Sequence, residues 1–256
     1  MQHTQQHQQG QQRIVIIGAT SSIAEHCARL WVSGRTVALT LVGRDAARIE
    51  RVAADLRVRS PGSSVQVRAA DLLEPRAIRA LVDAIVLEGM PTQVLIAHGS
   101  LPDQQACQAS LDSAAEALQV NAVSPVLFAE AFAGHMEAAG GTITIIGSVA
   151  GDRGRRSNYV YGAAKGLVTR YAQGLQHRLA GSGSPLRVVL VKPGPTATPM
   201  TAHLPQRGLA PVEDVARQIV DGSAAGKATV YAPGKWAVIM MVIRHLPAVV
   251  FNKMNI

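Results

Sequence analysis

Short apolar runs rich in β-branched residues punctuate this chain at intervals. They are Arg13 to Ile17 (RIVII), Thr36 to Val42 (TVALTLV), Val65 to Arg68, Gln93 to Ala97 (QVLIA), Thr142 to Gly147 (TITIIG) and Leu186 to Val191 (LRVVLV), with a last short run at Thr229 to Ala232. The stretches between them carry helical patterning. Strands that are apolar throughout, alternating with helices, are satisfied by a mostly parallel sheet covered on both faces. The expected fold is α/β, a doubly wound, seven-stranded, mostly parallel sheet flanked by helices. Such sheets bind ligands outside the carboxyl ends of their strands, so the loops after each run are where chemistry is expected.

The rest of the composition bounds the reading. A chain of 256 residues, 48% hydrophobic and only 16% charged, suffices for one sizeable core. Three parts are expected: a disordered Gln/His-rich tail over 1–12, a single α/β domain over 13–234, and an apolar extension over 235–256. Cys27, in an expected helix, and Cys107, in an expected loop, read as reduced thiols, with no disulfide framework and no metal site. With no apolar signal core and no run of eighteen apolar residues, a cytoplasmic protein without a membrane span is expected. The net charge of +8 suits nucleic acid, an anionic cofactor or an anionic membrane surface. The arginines are scattered and no aromatic residues are interleaved with them, which favours phosphate contacts and solvated helix faces over nucleic-acid binding.

The stretch Ser148 to Lys165 (SVAGDRGRRSNYVYGAAK) holds the densest chemistry. Tyr161 and Lys165 are four apart and share one face of a helix that Ser157 can cap. A phenol beside an ammonium is a usable acid/base, because the positive charge favours the phenolate and draws the tyrosine pKa downward. Ser148 closes an apolar run and can present its hydroxyl at the carboxyl end of that strand. An ordinary surface pair is the competing reading.

Other loops add to this. Gly18, Thr20, Ser21, Ser22 and Ile23 form a small-residue turn between the first strand and a helix, where backbone N–H groups can face a phosphate. Arg44, at the end of the second strand, suits a 2′-phosphate and points to NADP rather than NAD; a solvated strand cap is the alternative. Asp71, followed by Leu72, follows the third strand and can serve an adenine amino group or a loop. Ala97, His98 and Gly99 follow the fourth strand, with Gly99 allowing close backbone approach and His98 read as a packing or hydrogen-bonding residue. Asn121 lies in a long helical stretch from Leu111 to about Ala139, four residues before Pro125. It can hold a water or tie two elements together. Pro193, Gly194, Thr196 and Thr198 occupy a proline-punctuated loop after the sixth strand.

These pieces, in this order, resemble the classical short-chain dehydrogenase/reductase family over about residues 13 to 232. The resemblance implies a Rossmann fold, NADPH as cofactor, and carbonyl reduction that runs in reverse as alcohol oxidation. It implies Tyr161 as general acid and Lys165 as the residue that lowers the Tyr161 pKa and binds the nicotinamide ribose. Ser148 would polarise the carbonyl, Asn121 would anchor a proton-relay water, and the Pro193-Gly194 segment with Thr198 would contact the nicotinamide amide. A homodimer or homotetramer acting on a small-molecule carbonyl compound is implied too. The chain departs from the family pattern in having Ser22 and Ala24 where glycines are usual, and Ala97-His98-Gly99 where Asn-Ala-Gly is usual. A sugar epimerase or dehydratase of the extended relatives, and a non-catalytic NADP-binding sensor or scaffold, are the alternative functions.

Lys235 to Ile256 (KWAVIMMVIRHLPAVVFNKMNI) mixes an apolar run with Trp236 and basic residues. It suits packing on the core or a partner subunit, or peripheral contact with the inner face of a membrane. It is similar to a tail in relatives of the reductase subunit that makes decaprenylphosphoryl arabinose, which implies a lipid-linked or otherwise hydrophobic keto substrate.

Overall fold

The computed structural model describes residues 11–203 and 205–254. The tail expected over 1–12 therefore lies, through residue 10, outside the described residues. From there, strand and helix alternate: β1 (Gln12–Ile17), α1 (Ser22–Val32), β2 (Val37–Gly43), α2 (Ala46–Arg59), β3 (Ser64–Ala69), α3 (Pro75–Glu88), β4 (Gln93–Ile96), α4 (Gln104–Ala109), α5 (Leu111–Leu118), α6 (Ser124–Met136), β5 (Gly141–Ile146), α7 (Tyr159–Gly181), β6 (Leu186–Pro193), α8 (Val212–Ala224), β7 (Thr229–Ala232), α9 (Lys235–His245) and α10 (Ala248–Phe251).

The seven strands form one sheet in the order β3-β2-β1-β4-β5-β6-β7, and every neighbouring pair is parallel. Alternation along β1 shows how both faces are filled. Ile14 and Ile16 join Leu39, Leu41, Trp31, Val215 and Ile219 on one face. Val15 and Ile17 join Ile78, Val82, Phe128, Phe132, Val168 and Leu175 on the other. Strand order reverses between β1 and β4, which opens a crevice at their carboxyl ends.

Local chemistry sets the helix starts. The Asp45 side chain accepts from Arg48 N at 3.0 Å to begin α2, and the Glu74 side chain caps α3 ahead of Pro75 by accepting from Ala77 N at 2.6 Å. The long helix expected from Leu111 runs unbroken to Met136 and carries a π-helical turn over Gln119–Val123, because Pro125 cannot supply the next N–H of the α ladder. One boundary differs from expectation. Helix α7 begins after Asn158 rather than Ser157, and the Val160 N–H is met instead by the Gln104 side-chain carbonyl at 3.0 Å. Cys107 lies on short α4 rather than in a loop, and both cysteines are buried free thiols.

The C-terminal helices dock on the strand ends. Gly194 meets the Trp236 indole so closely that a Cβ there would lie 1.9 Å from Nε1. Arg153, in the loop after β5, donates to the carbonyls of Ile243 and Leu246, each at 2.6 Å, and its guanidinium stacks 3.8 Å above the Phe251 ring. A cation at a helix carboxyl end is favoured by the helix dipole. Beside it, Lys192 and Asp152 form a buried ion pair, and Tyr231 donates to the same carboxylate at 2.8 Å. No helix among the described residues is long and apolar enough to cross a membrane. Gly194→Ala is expected to displace the indole, shift tryptophan emission and cost roughly 1–3 kcal/mol in urea unfolding. In a Trp236→Ala background most of that cost should vanish; equal costs in both backgrounds would show that the contact carries no energy.

Candidate active site

The approach of α7 to the end of β5 is the local event that builds the site. Ser148 opens a single 3-10 turn, Val149–Gly151, with its side-chain oxygen accepting from Ala150 N at 3.1 Å. That turn touches α7 backbone to backbone. A Cβ on Gly151 would lie 2.5 Å from the Lys165 carbonyl, and one on Gly162 would lie 3.0 Å from Ala150 O. Only glycine permits this distance. The result faces Ser148 and Tyr161 into one cleft.

That cleft gathers most of the residues singled out from sequence. Ser21, Ile23, Ala97, His98, Gly99, Asn121, Ser148, Tyr161, Lys165, Pro193, Gly194, Thr196 and Thr198 all line it. Gly18 lies just beneath, with φ +82° and its Cα so close to His98 that a Cβ would lie 2.5 Å from the His98 backbone nitrogen. This is where the turn needs glycine; the small side chains of Ser22 and Ala24 suffice further on. Thr20 instead borders a separate basic hollow with Arg29, Arg48 and Arg51. Ser22 begins α1 and its carbonyl takes a contact from His26 Nδ1 at 2.8 Å. Arg44 is exposed at the end of β2, near enough for its charge to act on the His98 imidazole. The Asp71 carboxylate accepts from Leu73 N at 2.8 Å, a turn role, and Leu72 is buried with its carbonyl bound to the Ser124 hydroxyl.

Electrostatics in the cleft differ from the simple expectation. Burial, the largest influence, raises the Tyr161 pKa; the Ser148 hydroxyl and the Arg155 charge pull the other way. The expected downward pull from Lys165 is not what acts here. Its ammonium sits 5.8 Å from the Tyr161 ring centre, donates to Ile146 O at 3.0 Å, and burial draws its own pKa down to about 8.

Asn121 is fully buried and tied on both sides: its side-chain oxygen accepts from Ser100 N at 2.9 Å, and its amide donates to Ala117 O at 2.9 Å. Four residues on, Pro125 has no N–H to give the Asn121 carbonyl. His98 resolves into one tautomer. The Ser124 hydroxyl spends its proton on Leu72 O, so it accepts from His98 Nε2 at 2.7 Å. Nδ1 is then a bare acceptor, buried and without a partner among the described residues. Burial, then the Lys165 and Arg44 charges, push the His98 pKa down to about 3, so the ring is neutral at ordinary pH.

Sequence reasoning missed three contributors. Arg155 and Asn158 line the cleft from a loop that reads only as charged and flexible. Trp236 backs the Gly194 loop from a segment far along the chain. The length of the loop between Ser148 and Tyr161 was the one available signal for the first two.

This geometry has counterparts. A family model described as short chain dehydrogenase matches residues 12–208, and the chain belongs to that family of NAD(P)-dependent oxidoreductases. An uncharacterized oxidoreductase of Mycobacterium tuberculosis is 31% identical, covering 94% of this chain and 96% of its own. One from Streptomyces coelicolor is 28% identical, with 94% and 95% covered. Among solved structures, a short-chain dehydrogenase from Sphingobium yanoikuyae in complex with NADPH superposes with TM-score 0.78 at 24% identity, covering 95% of this chain and 96% of that one. A Burkholderia cenocepacia short chain dehydrogenase in complex with NADP gives 0.80 at 16% identity, covering 96% and 98%.

Burial of Lys165 has a consequence for stability. With its pKa lowered from 10.5 to about 8, the folded state binds fewer protons than the unfolded chain between those values. The penalty is complete below pH 8, and this group makes stability rise as pH climbs through the window. Lys165→Met should remove that rise, so urea stability of the native protein should gain on the variant by on the order of 2 kcal/mol between pH 8 and 10. A difference independent of pH would mean the ammonium is solvated.

Proposed function

We propose that the protein is an NADPH-dependent carbonyl reductase, reversible as an alcohol dehydrogenase. The observation that carries this is the convergence of Ser148, Tyr161 and Lys165 on one cleft at the carboxyl edge of the sheet, against Gly99 and Asn121. The Tyr161 phenol, protonated at neutral pH because burial holds its pKa up, donates a proton to the substrate oxygen. The Ser148 hydroxyl hydrogen-bonds that oxygen and orients it. Ser148 and Arg155 both favour the phenolate, which lowers the cost of the proton's departure. Lys165, buried beside Gly99 and Asn121, offers N–H donors to sugar hydroxyls and a route for the returning proton. The Asn121 carbonyl, which gets no N–H from Pro125 four residues on, suits the anchoring of a relay water.

The cleft also fits the cofactor. Gly18 holds the first turn against β4 with no side chain in the way, and His98 Nδ1 offers a buried, unpartnered acceptor to a ligand hydroxyl or amide. Ser21, Ile23, Ala97, Gly99, Pro193, Gly194, Thr196 and Thr198 would border it, with Arg44 reaching a 2′-phosphate; Asp71 and Leu72 would flank the adenine, and Thr20 and Ser22 would complete the turn. NADPH, when bound, supplies the hydride. The NADPH and NADP in the two similar solved structures support this preference over NAD.

A hydrophobic or lipid-linked version of the substrate, with peripheral membrane contact, is supported by one observation. Helices α9 and α10 expose Val238, Met241, Val242, Val249 and Val250 beside Arg244 and Lys253, next to the Gly194 edge of the cleft. The substrate that bears on it is a keto compound carrying a long acyl chain.

Tyr161→Phe should lower NADPH oxidation with a carbonyl panel by about three orders of magnitude while NADPH binding, read by fluorescence, stays intact. Turnover that survives the change would dismiss the mechanism. Arg44→Asp should weaken NADPH much more than NADH; parallel losses for both would remove the 2′-phosphate role.

A further inference from the structure

Arg155 acts in the chemistry above only through its charge on the Tyr161 phenol, and Asn158 has no part in it. Both enter the cleft from the loop between β5 and α7, on the Tyr161 side. Arg155 Nε and Asn158 Oδ1 are both buried and, among the described residues, have no hydrogen-bond partner. A buried polar atom left unpaired is costly, because it has given up its hydrogen bonds to water for nothing. An arginine is long enough to turn its head to water and escape that cost. Arg155 lines the cleft half-buried and keeps its Nε out of water. Its neighbour Arg153 differs, since its donors are consumed by the Ile243 and Leu246 carbonyls and its face by Phe251.

The edge of a guanidinium formed by Nε–H and one Nη–H presents two parallel donors. That edge matches the two oxygens of a carboxylate, sulfonate or phosphate, and binding there satisfies Nε. Asn158 Oδ1 can only accept, so it calls for an O–H or N–H. The two cations most relevant to ligands also lie on different loops. Arg44 ends β2 and does not border the cleft, whereas Arg155 borders it together with Ser148 and Tyr161. The net charge of +8 would draw an anion to either.

We propose that Arg155 sets substrate specificity, gripping an oxyanion group carried by the carbonyl substrate while Asn158 accepts a hydrogen bond from a hydroxyl or amide of the same molecule. This rests on the carbonyl-reductase reading of the same cleft and names the class of compound it would take. The shared chemistry is an oxyanion a few atoms from the carbonyl, in a free small molecule or in a lipid headgroup.

Three related ketones separate the possibilities: dihydroxyacetone, which is uncharged, dihydroxyacetone phosphate, and its long-chain acyl ester presented in detergent. NADPH oxidation by the native protein should favour the phosphate over dihydroxyacetone by roughly tenfold or more in kcat/KM. In Arg155→Met that ratio should fall to within about threefold of unity, with Arg155→Lys between the two. Where that Arg155-dependent preference for the phosphate is seen, and the oxyanion site thereby supported, faster reduction of the acyl ester than of the free phosphate assigns the anion to a lipid, and the reverse assigns it to a soluble compound. A ratio near one in the native protein, or one that survives Arg155→Met, overturns the proposal while leaving carbonyl reduction intact. Should none of the ketones be reduced, the carbonyl-reductase reading fails on these substrates, and the site is decided by calorimetry on NADP+-saturated protein. Dihydroxyacetone phosphate that binds the native chain and not Arg155→Met supports the oxyanion site, and absence of binding overturns it.

Discussion

Backbone contact between α7 and the turn after β5 is the constraint on which the rest of the cleft depends. Gly151 and Gly162 have no side chains to hold the two elements apart, so the turn lies directly against the Lys165 carbonyl. Close packing of this kind fixes rotation as well as distance. Helix α7 is thereby oriented with Tyr161 towards Ser148 and Lys165 towards Ile146 O. A few tenths of an ångström added there would move the phenol relative to the strand end, and positional error of this size matters in proton transfer.

Burial at this seam decides the electrostatics. The same packing that orients Lys165 removes it from water and draws its pKa down, and the cation that acts on the Tyr161 phenol comes from the loop between β5 and α7, on Arg155. His98 is carried further in the same direction and becomes a neutral acceptor with a defined tautomer. The Lys165, His98 and Tyr161 groups thus become a set of graded donors and acceptors. Desolvation is the common cause.

The C-terminal helices connect two loops that the sheet alone leaves independent. Trp236 seats on Gly194 after β6, and the carbonyl end of α9 is held by Arg153 after β5. Asp152 joins them from below through Lys192 and Tyr231. The loop that carries Ser148 and the loop that carries Pro193 and Gly194 are therefore braced by one element. Its remaining apolar surface faces outward, which gives the tail a structural task on one face and leaves the other face available.

Strand positions, the alternation of both sheet faces, Gly18, and the Ser148, Tyr161 and Lys165 set were legible in the sequence because they depend on local pattern. A β-branched run reads as a strand wherever it lies, and two residues four apart on a helix share a face whatever packs against them. The helical stretch through Asn121 and Pro125 was legible for the same reason, although the π-helical turn inside it was not. Tertiary structure alone decided which groups are buried, and with that the direction of each pKa. It also decided that Asp71 serves its own loop, that Thr20 borders a different hollow from Ser21, and that Arg155, Asn158 and Trp236 join residues distant in sequence at the cleft. Those outcomes depend on contacts between residues tens of positions apart, and periodicity along a chain carries no record of such distances.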